Sequence, residues 1–170
     1  MDRYTLPEEL SRMKKTNAAR ILDKNKIDYS LGEYEVDVDD LSAPNVAKKI
    51  GMPLEKVFKT LVVRGDKNGV LMACIPGGAE LNLKNLASIS GNKKVEMVHL
   101  KEVQGLTGYI RGGVSPLGSK KSYPVYIDSS VEAWDQIAIS AGMRGYQILI
   151  NPKDLIQVTN ASIYNIVREE

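Results

Sequence analysis

The sequence contains one cysteine, Cys74, and one histidine, His99, among its 170 residues. A single copy of each excludes a disulfide framework and a zinc site built from the usual cysteine and histidine ligands, and it favours a reducing, cytoplasmic setting. The longest apolar run, residues 70–75, has six residues. A membrane-spanning helix needs roughly 18. The first residues, MDRYTLPEELSRMKK, are polar and charged, so we expect neither a membrane helix nor a secretory signal.

The sequence also lacks an excess of charge of either sign. Lysine and arginine number 23 and aspartate and glutamate 21, which gives a net charge of +2 at pH 7. This balance excludes a strongly basic nucleic-acid coat protein. The basic pairs at residues 14–15, 48–49, 93–94 and 120–121 are scattered, which is typical of solvated surface. At this length, without repeats or linkers, we expect a single domain.

The predicted elements alternate between helix and strand. Helices are predicted between a Thr16 cap and Asn25, between a Ser42 cap and a Gly51 stop, over residues 83–87 and 100–104, and from Asn151-Pro152 onward. Strands are predicted over residues 27–31, 34–36, 58–63, 70–75, 94–98, 123–127, 136–140 and 146–150. The GDKNG turn between the third and fourth of these predicts an antiparallel hairpin. Hairpins mixed with helices indicate an α+β fold with a mixed sheet.

Common enzyme motifs are missing. The sequence has neither a phosphate-binding G-x-x-x-x-G-K-[ST] loop nor a G-x-G-x-x-G turn opening a helix. The segment around Ser115 resembles a nucleophile elbow only loosely, because Leu117 stands where that motif needs glycine and Pro116 lacks a backbone N–H. His99 follows apolar residues and Cys74 lies inside a predicted core strand, so we expect neither to be catalytic.

After these exclusions, Lys59 and a glycine-rich segment are the remaining candidates for a functional site. Lys59 interrupts a strand that is apolar on both faces, where an ammonium group is costly unless it is paired or faces a cavity. Two interpretations remain open: a lysine that reaches water at the end of a strand, or a positive charge on the floor of a pocket. Residues 108–118, GYIRGGVSPLG, contain four glycines, which suits either a loop with positive φ angles or close approach of a ligand.

Four segments have the order and spacing found in the YbaK/EbsC proteins. They are residues 15–18 (KTNA), 57–61 (VFKTL), 108–118 (GYIRGGVSPLG) and 140–145 (SAGMRG). The chain resembles this family from about Met13 to Arg168, which indicates a leader over residues 1–12 and one deacylase domain over residues 13–168. The family is similar to the editing domain of bacterial prolyl-tRNA synthetases. The resemblance implies a mixed, largely antiparallel sheet curled into a partial barrel with surrounding helices.

The resemblance also implies a set of site residues. Lys59 matches the family's essential lysine and is the expected catalytic residue. The expected substrate-binding residues are Tyr34, Thr60, Gly112, Gly113, Ser115, Ser140 and Gln147. Many members have an aspartate where this chain has Gln147, so a contact between a carboxylate and the substrate's α-ammonium group becomes a contact with a neutral amide.

The implied activity is hydrolysis of cysteine from mischarged tRNA(Pro), with cysteinyl-tRNA(Cys) open as a second substrate. The implied reaction uses no metal or cofactor and takes the substrate's own thiol as nucleophile, through a cyclic thioester. The implied partners are the acceptor end of the tRNA and prolyl-tRNA synthetase, and not a membrane. Two alternatives stay open. One is a deacylase for another small amino acid such as alanine, with water as nucleophile, and the other is a non-catalytic module that binds a small ligand or tRNA.

Overall fold

The computed structural model describes residues 4–5 and 15–169. Within them are five α-helices: α1 (Asn17–Lys24), α2 (Ala43–Ile50), α3 (Leu83–Ile89), α4 (Leu100–Thr107) and α5 (Pro152–Thr159). The strands are β1 (Tyr4–Thr5), β2 (Tyr29–Glu33), β3 (Phe58–Gly65), β4 (Gly69–Pro76), β5 (Val95–Met97), β6 (Val125–Asp128), β7 (Ile137–Ser140), β8 (Tyr146–Ile150) and β9 (Ser162–Tyr164). Short 3₁₀ turns span Leu54–Lys56 and Ser129–Ala133.

The strands form two sheets that meet at one corner. The first sheet is antiparallel, in the order β1-β2-β8-β7, and the second is mixed, in the order β5-β3-β4-β6-β9. An isolated parallel bridge between Val57 and Ala138 joins the start of β3 to β7. The sheets therefore curl toward each other without closing into a barrel, and the predicted α+β fold class is confirmed.

Side-chain caps and turn residues explain where several helices begin and end. The Thr16 hydroxyl accepts a hydrogen bond from the Ala19 N–H at 3.2 Å, and the Asn151 side chain accepts one from the Lys153 N–H at 2.9 Å. Gly51 ends α2 with a φ of 72°, a conformation that glycine adopts without strain. The prediction of a Ser42 cap is wrong in one respect, because its hydroxyl donates to Asp40 Oδ1 at 2.6 Å instead of capping α2.

The predicted 58–63 and 70–75 hairpin is confirmed and extends further than expected, from Phe58 through the tight turn to Pro76. The strand predicted at residues 34–36 does not form. Tyr34 instead makes one backbone bond to the Gly145 carbonyl at 2.9 Å, after which the chain leaves the sheet. Most of the predicted leader lies outside the described residues, apart from Tyr4–Thr5, which pair with β2.

The largest apolar cluster lies between the first sheet, helix α1 and strands β4 and β6, and includes the fully buried Leu22, Ile127 and Ile148. A second cluster joins α2 to the corner between the sheets, where Val57, Ala138 and Leu149 pack together. This packing fixes the start of β3 next to β7. Within residues 4–5 and 15–169, no helix has the length and apolar character needed to cross a bilayer.

Candidate active site

A cleft of about 640 Å³ opens where the second sheet is incomplete. Strand β5 pairs with β3 only along Val63–Gly65, and β7 contacts the beginning of β3 through the Val57 bridge. Between these two points, residues 58–62 of β3 line the cleft. The gap between β5 and β7 therefore places the middle of a core strand against a solvent-accessible space.

Lys59 lies in this gap and is partly buried. Its Nζ donates a hydrogen bond to the Gly77 carbonyl oxygen at 3.2 Å. Burial lowers the pKa of Lys59 from its ordinary value, and the negative charge of Glu80 opposes that shift. No carboxylate among the described residues lies within 4.0 Å of this ammonium group. Two of its three N–H donors therefore remain for a ligand.

Gly77 was missed by the sequence analysis as part of the site. A Cβ atom at this position would lie 2.5 Å from the Ala43 Cβ and 3.0 Å from the Val57 carbonyl oxygen. Only glycine allows the chain to approach α2 this closely, and this approach sets its carbonyl toward Lys59. Two glycines directly after an apolar strand were the signal that could have identified it.

Gly112 lines the cleft with a φ of 83°, a backbone conformation that favours glycine. Arg144 holds this loop in place, because its Nε donates to the Arg111 carbonyl oxygen at 2.7 Å. A Cβ atom on Gly112 would lie 3.4 Å from both Leu41 and Arg144. The glycine loop is thus fixed between the turn from β7 to β8 and the segment before α2.

Ser140 and Gln147 form the closed end of the cleft and face each other across the β7–β8 pair. They are 9% and 5% exposed. The Ser140 hydroxyl accepts a hydrogen bond from the Gly142 N–H at 3.1 Å, which leaves its own hydrogen to donate. Gln147 Oε1 is the one buried side-chain nitrogen or oxygen without a partner in the described part of the chain. A buried acceptor without a donor is costly, so this atom is suited to a ligand's N–H.

The other expected site residues are divided between the cleft and its surroundings. Thr60 lines the cleft, and its hydroxyl lies 3.6 Å from Cys74 Sγ. Tyr34, Gly113 and Ser115 do not line it. Ser115 is fully buried and accepts a hydrogen bond from the Leu117 N–H at 3.3 Å, an arrangement that stabilises the glycine loop.

Neither Cys74 nor His99 lines the cleft. Cys74 is fully buried in β4, and burial raises the pKa of its thiol to about 12. His99 is exposed at the start of α4, where its backbone N–H donates to the Glu102 carboxylate at 3.2 Å. The Cys74 thiol is therefore buried away from a bound substrate, and His99 is exposed between two residues that line the cleft without lining it itself.

The open end of the cleft is apolar and was missed by the sequence analysis. The apolar shelf consists of Val62, Met97, Val98, Leu100 and Val103, all of which line the cleft. Its floor is buried, whereas Met97 and Leu100 are 46% and 58% exposed. The exposed charged residues Asp39, Asp40 and Arg111 also line the cleft. The cleft therefore combines a buried polar end at Ser140 and Gln147 with an apolar shelf at an exposed side.

The fold and this cleft define an aminoacyl-tRNA editing domain, and the sequence model of the family described as "Aminoacyl-tRNA editing domain" matches residues 39–158. The chain belongs to this family. The predicted resemblance to YbaK/EbsC proteins is confirmed, as is the enzyme class of aminoacyl-tRNA deacylases at the level of the family.

Three similar proteins illustrate the family. The putative Cys-tRNA(Pro)/Cys-tRNA(Cys) deacylase EbsC of Enterococcus faecalis is 46% identical over 92% of this chain and 95% of its own length. The multifunctional Ser/Thr-tRNA deacylase ProXp-y of Escherichia coli is 26% identical over 69% of this chain and 73% of its own. The crystal structure of a putative trans-editing enzyme for prolyl tRNA synthetase superposes with a TM-score of 0.77 at 22% identity, covering 91% of this chain and 99% of the other.

Proposed function

We propose that this protein hydrolyses cysteine from mischarged cysteinyl-tRNA(Pro) as a free-standing editing enzyme. The observation that carries the proposal is the ammonium group of Lys59, which lies in a partly buried cleft with no carboxylate partner among the described residues. Similarity to EbsC over nearly the whole chain supports cysteine as the amino acid. Neither a cysteine nor a histidine is among the described residues that line the cleft, which supports the substrate's own thiol as the nucleophile.

In the proposed reaction the substrate's thiolate attacks the carbonyl carbon of its own ester. The carbon–sulfur bond forms, the bond to the ribose oxygen of the tRNA breaks, and that oxygen takes the proton released by the thiol through solvent. Water then opens the resulting cyclic thioester to free cysteine. The protein positions the thiol sulfur next to the ester carbonyl carbon and stabilises the thiolate by positive charge. It stabilises the developing oxyanion by hydrogen-bond donors held in fixed positions. Lys59 and the backbone N–H groups near Gly112 are the proposed donors.

The closed end of the cleft binds the amino group in this proposal. Gln147 Oε1 accepts a hydrogen bond from the α-ammonium group, and the Ser140 hydroxyl donates to the substrate. Thr60 contributes to the wall beside Lys59. The roles of Tyr34, Gly113 and Ser115 are indirect, since these residues lie outside the cleft and support the segments around it.

A deacylation assay on cysteinyl-, alanyl- and prolyl-tRNA(Pro) tests the function. We expect release of cysteine and intact prolyl-tRNA(Pro), because only cysteine places sulfur within reach of the ester. Size alone discriminates poorly, since a methylene difference is worth about 1–3 kcal/mol. Faster release of alanine than of cysteine would contradict the proposal and favour a water-dependent deacylase.

We expect the replacement Gln147→Met to separate stability from substrate binding. Methionine has a similar volume and removes the unpartnered acceptor, whose burial costs about 1–3 kcal/mol. The melting temperature should therefore stay constant or rise, while KM for cysteinyl-tRNA(Pro) rises about tenfold. Thermal unfolding and steady-state kinetics measure the two effects. Gln157→Met, on the outer surface of α5, is the control, and an unchanged KM in Gln147→Met would remove this residue from the binding site.

A second candidate is a deacylase for another small amino acid, with water as nucleophile. It is favoured by the neutral Gln147 and by the similarity to a relative named as a Ser/Thr-tRNA deacylase.

We also propose prolyl-tRNA synthetase as a partner. In this proposal the small net charge of +2 gives a modest affinity for the tRNA phosphates, and the synthetase supplies further affinity by binding the same tRNA.

A further inference from the structure

The cleft is larger than the amino acid that its closed end accommodates. Its volume of about 640 Å³ is typical of sites for drug-sized ligands, about 300–1,000 Å³, whereas a cysteinyl group is only a small fraction of such a ligand. The closed end, with Ser140, Gln147 and Lys59, matches the amino group and ester of the substrate. The apolar shelf does not match these polar groups and is available to contact a different part of the substrate.

The apolar shelf is the part of the cleft lining that offers an apolar contact surface. Val62, Val98 and Val103 are its buried members and belong to one apolar cluster. Met97 and Leu100 project at its edge from β5 and from the first position of α4, and both are substantially exposed. A single exposed leucine is ordinary in a soluble protein, but two large exposed side chains on one wall of a substrate cleft form a contact surface.

We infer that the apolar shelf binds the base of the 3′-terminal adenosine of the acylated tRNA. This inference rests on the proposed function, because the ester bond joins the aminoacyl group directly to that nucleoside. The faces of a purine ring are apolar and pack against aliphatic side chains, and the ribose then lies between the shelf and Lys59. The next phosphate then leaves the cleft at its exposed rim, where Arg111 offers a positive charge.

Kinetics with two substrates test the shelf. The first is 3′-O-cysteinyl adenosine and the second is cysteine ethyl ester, which has the same ester without a nucleoside. For Leu100→Ser we expect kcat/KM for 3′-O-cysteinyl adenosine to fall about tenfold relative to kcat/KM for cysteine ethyl ester. The fall should come mainly from a higher KM for the adenosine ester. The matched control is Leu83→Ser, because Leu83 is also an exposed leucine at the first position of a helix but lies outside the cleft.

Direct binding gives a readout that needs no catalysis. In NMR titrations, adenosine 5′-monophosphate should shift the backbone amide signals of residues 97–103, and ribose 5-phosphate should not. Equal shifts with both compounds, or an unchanged kinetic ratio in Leu100→Ser, would overturn the inference. So would shifts at the same residues with prolyl-tRNA synthetase and none with the nucleotide. A wild-type protein that cleaves neither ester contradicts the proposed function instead, and the nucleotide titration still decides whether the shelf binds a base.

Discussion

The replacement Lys59→Met is expected to reduce cysteine release from cysteinyl-tRNA(Pro) about 100- to 1,000-fold. Loss of one fixed donor to an oxyanion has an effect of this size. Methionine keeps most of the length of the side chain and removes its charge. No carboxylate among the described residues is left unpaired, and the protein loses only the long hydrogen bond to the Gly77 carbonyl oxygen. The melting temperature should therefore change little. Single-turnover deacylation with saturating enzyme measures the chemical step separately from tRNA binding.

Two control variants make this result specific to Lys59. Lys84→Met removes an exposed lysine of α3 outside the cleft and should retain full activity. Cys74→Ser should also retain activity, because the Cys74 thiol is fully buried and its pKa is raised to about 12. A folded Cys74→Ser protein without activity would indicate an enzyme thiol as nucleophile. Full activity in Lys59→Met would mean that the site is assigned to the wrong residue.

Local sequence signals were sufficient to predict the elements that create the site. The GDKNG turn between two β-branched runs fixes the β3–β4 hairpin, and the register of that hairpin places Phe58 opposite Pro76. Lys59 was anomalous in the sequence because a charged residue interrupted an apolar strand. Its location beside a cleft was not predictable from these signals, since the gap along β3 depends on where β5 and β7 lie.

The parts of the site that were missed depend on contacts distant in sequence. The Gly77 carbonyl reaches Lys59 only because Gly77 packs against Ala43, a residue on another element. Leu100 lies at the cleft because α4 follows β5, a three-residue strand at the edge of the sheet. Strand β9 was missed for a similar reason, since its three residues pair with β6 alone and have no strong strand pattern of their own.

Replacement of the substrate's sulfur by oxygen should have the other large effect. Seryl-tRNA(Pro) has nearly the same shape as cysteinyl-tRNA(Pro), but its hydroxyl remains protonated and is a weak nucleophile, whereas an unperturbed thiol has a pKa of about 8.5. We expect deacylation of the seryl ester to be at least about 100-fold slower, comparable in size to the loss of a catalytic acid or base. Single-turnover rates on the two tRNAs measure this ratio, and equal rates would contradict attack by the substrate.

The pH dependence of cysteine release provides an independent check of the same step. Below the pKa of the bound thiol, the rate should rise about tenfold per pH unit, because the thiolate fraction rises by that factor. At higher pH the rate should fall as the Lys59 ammonium group loses its proton, at a pH below the ordinary value for lysine because burial lowers its pKa. In Lys59→Arg this fall in rate at high pH, the descending limb of the pH profile, should disappear, because a guanidinium group keeps its charge throughout this range. If the descending limb stayed in Lys59→Arg, another group would control it, and the positive charge that stabilises the thiolate would have to come from elsewhere in the cleft.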